Sequence, residues 1–449
     1  MSSSAAPPTS PPRPTPSASP PRGGITAWLE RAPPATFTVV AGLAAFATYF
    51  AMYAFRRPFA VGRFAEPVSL FGLGLDAKTL FVVAQVVGYA TSKFLGIKVV
   101  SEVSPARRAR VLVALIGVAE LALVGFALAP APWSALFMLA NGLPLGMIWG
   151  LTFGFLEGRR TSDLLGVVLA SSFIVASGAV KTVGRWILDA GAPEAWMPAI
   201  VGALFFPLLI TATALLAQLP PPSADDEAAR TRRAPMGADE RRAFVRAQLP
   251  VLAPLIALYV GLTAFRDVRD VFAVELWDAL GYGGAPAILT TAEIPVALGA
   301  LLAVGAIGLV RDNRRAVVVV HLVILGGAAL VGGATLAHAL GLVGPATWMI
   351  AVGLGLYLGY VPFNCVLFDR LIAALGSVAN ASFLITLADA FGYVGSVALL
   401  VTKSLGLVGD ALDWIGTFRT LAYATTAWVL ALGLVALAVV QRTAPARAR

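Results

Sequence analysis

Ala54-Phe55-Arg56 and Ala264-Phe265-Arg266 stand 210 residues apart, each toward the end of an apolar run. An arginine on a membrane-buried helix costs roughly 2.5–3.5 kcal/mol on insertion scales. This chain carries that cost twice, at matching places. Two guanidinium groups, each a planar fork of donors, can bind an oxyanion through charge-assisted bidentate hydrogen bonds. Phosphate and carboxylate are the chemistries that such a pair serves.

Other charges interrupt the apolar runs. Arg56 and Arg57 either snorkel to lipid headgroups or line a site, and the match to Arg266 favours the site. Asp270 lies at i+4 from Arg266, the spacing of an intrahelical ion pair, and Asp267 adjoins it. Asp270 is therefore expected to neutralise Arg266 or to be the partner that a substrate displaces. Lys93 reads as a cavity lysine or a snorkelling one. Lys181 shares a helix face with Ser177 and Arg185, as a second cavity charge or an end anchor. Glu293 and Asp389 are set to carry a coupling proton or to pair with the arginines. Glu120 is expected at a helix–helix contact. Arg107, Arg108, Arg314 and Arg315, with Glu157 and Asp369, form a candidate cytoplasmic gate; the alternative is that these arginines only set topology.

The elements that carry these residues follow from composition. Of 449 residues, 58% are hydrophobic and 13% charged, against about 25% charged in soluble domains. Many apolar windows approach the ~20 residues that cross a bilayer as a helix. Twelve spans are predicted: 35–58, 77–99, 109–129, 133–156, 163–188, 196–217, 251–277, 286–310, 316–340, 345–368, 378–403 and 417–440. Residues 1–34 read as a disordered cytoplasmic tail, Ser/Pro-rich and without the apolar core of a signal peptide. Residues 218–250 form a cytoplasmic central loop, in which 239–248 could lie on the membrane as an amphipathic helix. Residues 441–449 form a second cytoplasmic tail. About 22 Lys and Arg fall on the side of the tails and about 8 opposite, which places both termini in the cytoplasm. The net charge of +9 is explained by that bias and calls for no nucleic acid.

The halves repeat beyond the arginines. Tyr49 matches Tyr259, Arg107-Arg108 matches Arg314-Arg315, Glu157 matches Asp369, and Ser172-Phe173 matches Ser382-Phe383. The fold class is thus all-α membrane protein: an N-terminal six-helix bundle, 35–217, and a C-terminal one, 251–440, as parallel repeats with substrate between them. No metal or cofactor is expected. His321 and His338 share one span, Cys365 is the single cysteine, and no P-loop is present.

Tyr53-Ala54-Phe55-Arg56-Arg57-Pro58-Phe59-Ala60 resembles the first-helix motif of the organophosphate:phosphate antiporters, the glycerol-3-phosphate and hexose-phosphate transporters of the major facilitator superfamily. Tyr89 to Phe94 resembles their second helix, Ser101-Glu102 with Pro105 and Arg107 the loop after it, and Gly142, Gly146, Met147 and Trp149 their fourth helix. The resemblance implies that Arg56 and Arg266 cradle an anion and that Lys93 assists. It brings Tyr53 into the binding set. The family's fifth-helix histidine has no counterpart between Ser171 and Lys181. Met52 to Arg56, Asn141 to Met147 and Val361 to Cys365, which includes Asn364, are also similar to segments of an uncharacterised bacterial facilitator-like group. The expected function is secondary transport of a small organic anion across a bacterial inner membrane, as a monomer, by anion exchange or proton symport. The partners are then an anionic solute, the lipid bilayer, and a coupling proton or counter-anion. The alternative is a non-transporting receptor or scaffold.

Overall fold

The computed structural model describes residues 24–70, 73–157, 159, 161–223, 226, 238–376, 381–404 and 413–443. The expected tail over 1–23, the residues Asp225, Glu227, Arg230, Arg232 and Arg233 of the central segment, and the tail from 444 lie outside them.

Eleven helices among the described residues are long and apolar enough to cross a membrane. They coincide with every predicted span except the second, which is the 26-residue helix Ala77–Glu102. The contacts repeat between the halves. Span two packs on four, three on four and six, and one on five and six. In the second half, eight packs on ten, nine on ten and twelve, and seven on eleven and twelve. Between the halves, five meets eight and two meets eleven. Adding six to each number turns one cross-contact into the other, as a two-fold axis along the membrane normal requires.

Lipid tails are as apolar as leucine, so small residues that let backbones approach do much of the holding. A Cβ on Gly142 of span four would lie 2.2 Å from the Gln85 carbonyl oxygen, and one on Gly88 of span two 2.1 Å from that of Leu139. Gly142→Ala is therefore expected to lose about 1–3 kcal/mol by overpacking. Gly117, with nothing within 4 Å, should accept alanine with a gain of up to ~1 kcal/mol. Thermal melts of the two variants in detergent check the contrast.

Two expectations are corrected. Residues 239–248 are not a separate surface helix: they open the continuous seventh helix, Ala238–Val271. Asp239 and Glu240 fall in its first turn, where the helix dipole favours acids, and no glycine separates Arg246 from the apolar run. The expected tail is also helical over Ile25–Arg31, where Leu29 is buried.

Breaks in two spans set the site. Span one runs as an α-helix over Pro34–Met52 and tightens into a 3-10 turn at Tyr53–Phe55. Pro58 lacks an N–H and disfavours helix at the residue before it, so the α-helix stops short of the predicted 58. The N–H groups of Arg56 and Arg57 both donate to the Tyr53 carbonyl at 3.0 Å. Span seven breaks at Phe272, and Ala273–Ala279 follows as a short helix with Trp277 buried.

Candidate substrate site between the two halves

The break in span one leaves backbone carbonyls without helical partners, a costly condition inside a membrane. Asn141 of span four donates to the carbonyls of Phe55 and Ala119, each at 3.0 Å. Gln85 of span two donates to the Arg56 carbonyl at 3.1 Å and to Asn141 Oδ1 at 2.7 Å. These two amides clamp the chain where it presents Arg56, and sequence reasoning did not assign either to the site. Their signal was a lone amide in an apolar run.

Arg56 and Arg57 are 3% and 4% exposed, and their surroundings differ. The Arg56 guanidinium carbon lies 3.9 Å from the Tyr89 ring centroid and 5.9 Å from that of Tyr393. Among the described residues no carboxylate forms an ion pair with it. Arg57 pairs with Asp270 at 2.8 Å and Asp267 at 3.4 Å. Arg266 pairs with Asp267 at 2.8 Å, donates to the Tyr360 hydroxyl, and stacks 4.4 Å from the Tyr360 centroid. Its guanidinium carbon is 5.8 Å from the Tyr393 centroid. Both arginines thus adjoin one ring, so their Cζ atoms are at most about 12 Å apart.

Asp270 turns away from Arg266. Besides Arg57 it takes Lys181 and the Ser177 hydroxyl from span five. The intrahelical Arg266–Asp270 pair expected from i+4 spacing is not formed; Asp267 fills that role. Lys93 pairs with Asp389 at 3.1 Å, and the Tyr259 hydroxyl donates to the same carboxylate at 2.6 Å. Arg269 pairs with Glu293 at 2.8 Å. Glu293 opens the helix Glu293–Ile307. Ser177, Lys181, Arg269, Asp270, Glu293 and Tyr357 line a cavity of about 10 Å³, the space of one water.

Tyr53 is buried with its ring edge-on to Tyr49 at 5.7 Å. Asn364 donates to the Tyr259 hydroxyl at 3.3 Å and the Tyr360 carbonyl at 3.2 Å. The gate candidates sit apart from this centre. Arg107 is exposed, Arg108 donates to the Gly154 carbonyl in its own half, and the Arg315 N–H is capped by Asp312 at 2.8 Å. Glu157 acts on Arg108 within that same half. Glu120 packs against Gly202, joining spans three and six as expected. His321 bonds the Val317 carbonyl, and His338 stacks on Trp348 and meets Arg419 at 3.1 Å, neither in contact with Arg56 or Arg266.

Six cross-half ion pairs among the described residues share one polarity. Arg57 with Asp267 and Asp270, Arg63 with Asp278, Lys78 with Glu275, Lys93 with Asp389, and Lys181 with Asp270 all take the cation from the first half and the acid from the second. At the centre, Arg56, Arg57, Lys93, Lys181, Arg266 and Arg269 face Asp267, Asp270, Glu293 and Asp389. Taken as ionised, these groups leave an excess of two positive charges. Gly178 marks how closely the halves meet: a Cβ there would lie 1.9 Å from the Leu289 carbonyl oxygen. Gly178→Val is expected to wedge spans five and eight apart. Faster maleimide labelling of Trp277→Cys, in a Cys365→Ala background, measures the opening.

The model of a protein family of unknown function, DUF5690, matches residues 58–442. The chain belongs to that family. The match begins one residue after Arg57 and includes Lys93, Lys181, Arg266 and every acid of the centre. No curated protein matches the chain. Among solved structures it is similar to a D-xylose-proton symporter, with TM-score 0.58 and 13% identity over 91% of this chain and 96% of that one. That likeness, with the repeated helix contacts, gives this DUF5690 chain the major facilitator fold: an all-α, multi-pass membrane protein of two pseudo-symmetric six-helix halves.

Proposed function

We propose that this protein is a secondary active transporter of a small organic anion, a phosphate ester or carboxylate, working by alternating access. The observation that carries this reading is Arg56. It is buried, held by a backbone clamp, stacked on Tyr89 and in ion-pair contact with no acid among the described residues, Asp267 acting on it only from beyond that distance. A buried unpaired cation is expensive, and an anionic substrate would offset that cost. Arg266, beside the same Tyr393 ring, supplies the second fork, and the excess of two positive charges suits a mono- or dianion. Lys93 and Lys181 add positive field from their acid-paired positions.

The first span begins at Pro34 and the twelfth ends at Thr443, and the bias of basic residues in the loops supports placing both of these ends on the cytoplasmic side of a bacterial membrane. Opening the other face parts Lys78 from Glu275, and Arg57 and Lys181 from Asp270. Coupling is assigned to Asp389. Protonating it weakens its hold on Lys93 and loosens the contact of spans two and eleven. Asp389→Asn is expected to abolish proton-driven uptake while anion exchange persists; paired uptake and exchange assays in proteoliposomes read the difference.

A ligand-induced thermal shift tests the substrate class. Glycerol 3-phosphate, glucose 6-phosphate or succinate at a hundred times its Kd should stabilise the protein by about 2.7 kcal/mol. D-xylose should leave it unchanged. Stabilisation by xylose and by none of the anions overturns the proposal.

A further inference from the structure

A groove of about 470 Å³ opens where the ninth span begins, the tenth ends and the twelfth ends. Arg314 and Arg315 stand at its rim, in the first turn of the helix Asn313–Ala339. Val318 and Val319 lie one turn deeper on the same helix, about 6 Å along its axis. Val440, near the end of the helix Trp414–Thr443, and Ala374, in the helix Leu367–Leu375, form the other walls. The ninth and twelfth spans turn large apolar side chains outward, with Leu322 56% exposed and Leu434 57% exposed. This is therefore a surface that faces lipid. Two cations at headgroup depth stand above an apolar slot one acyl chain could follow.

We infer that this groove is a binding site for one anionic phospholipid, its phosphate on Arg314 and Arg315 and an acyl chain along Val318, Val319 and Val440. Charge complementarity selects this occupant: basic pockets between membrane helices take anionic headgroups. The side chains of residues 1–23 and 444–449 include arginines and no acid, so they bring like charge to the groove. Asp226, from the acidic run of the central segment, lies beside Arg159 in the first half. A free phosphate would leave the valine walls unused.

Native mass spectrometry of the full chain, purified in neutral detergent, tests the site. Phosphatidylglycerol and phosphatidylcholine with identical acyl chains are added in turn. The expected result is one phosphatidylglycerol retained per chain, at least ten-fold over phosphatidylcholine, and not displaced by 10 mM glycerol 3-phosphate. Arg314→Gln with Arg315→Gln should lose that preference. Val319→Trp, which fills the slot and leaves the charges, should lose retention. Arg315 is exposed, so Arg315→Gln alone keeps the test open if the other variants do not fold; it should weaken retention several-fold. Equal retention of the two lipids, unchanged retention in the variants, or displacement by glycerol 3-phosphate overturns the inference.

Discussion

Replacing Asp270 by asparagine is expected to lower stability by about 3–5 kcal/mol, the loss seen when one partner of a buried ion pair is removed. Asparagine keeps the size and removes the charge. Arg57 at 2.8 Å and Lys181 would then stay enclosed, with side chains 5% and 2% exposed. Arg57 would keep only Asp267, at 3.4 Å and already shared with Arg266. The exposed cross-half pair provides the contrast. Arg63 and Asp278 are 3.4 Å apart, with side chains 71% and 30% exposed, and such pairs contribute about 0–1 kcal/mol. Asp278→Asn should therefore change the melting midpoint little. Adding Lys181→Met to Asp270→Asn removes one orphaned cation and should restore part of the loss, a non-additivity expected of groups in one network. If Asp270→Asn costs no more than Asp278→Asn, the buried cluster does not hold the halves together.

Arg56→Lys should weaken anion binding about 10- to 100-fold, because a hydrogen bond to a charged group is worth about 1.5–3 kcal/mol. Lysine keeps the charge but cannot reproduce the bidentate fork. It also loses much of the flat contact with Tyr89. The neighbouring residue supplies the control. Arg57 has two acids, so Arg57→Lys should act on stability and leave anion affinity within about two-fold. Titration of glycerol 3-phosphate or succinate against the two variants, with melts alongside, separates the roles of adjacent arginines. Equal losses of affinity would deny Arg56 a special place.

That charged groups would gather between the halves was legible in the sequence because charge inside a bilayer is expensive. Each arginine, lysine or acid in an apolar run had to be paired or functional, and the 210-residue register of Arg56 and Arg266 placed them in equivalent elements. The register also foretold the repeated contacts of the two halves. What spacing could not supply was the rotation of each helix against its neighbours. The i+4 rule placed Asp270 beneath Arg266, but tertiary packing turned it to Arg57 and Lys181. The Gln85–Asn141 clamp escaped for a similar reason. Its purpose exists only once Pro58 has broken span one and freed the carbonyls of Phe55 and Arg56. The shared polarity of the cross-half pairs depends on which faces meet, and so it emerged from the fold alone.

The first span now has two arginines with different work. Arg57 belongs to the buried ion-pair contact between the halves. Arg56 makes no close ion pair among the described residues, and Arg266 lies beside the same tyrosine with its charge shared with Asp267. The arrangement is two-fold in position and unequal in charge; on the proposed reading an entering anion would meet Arg56 first and Arg266 second.

Solute exchange in proteoliposomes tests the central claim most directly. Vesicles carrying the wild-type protein, loaded in turn with glycerol 3-phosphate, glucose 6-phosphate or succinate, should exchange at least one of them with labelled solute outside. Arg56→Lys and Arg266→Lys should each slow that exchange by ten-fold or more, and D-xylose should not exchange. Exchange of D-xylose, or of the anion at the wild-type rate in both lysine variants, would contradict an arginine-built anion site between the halves.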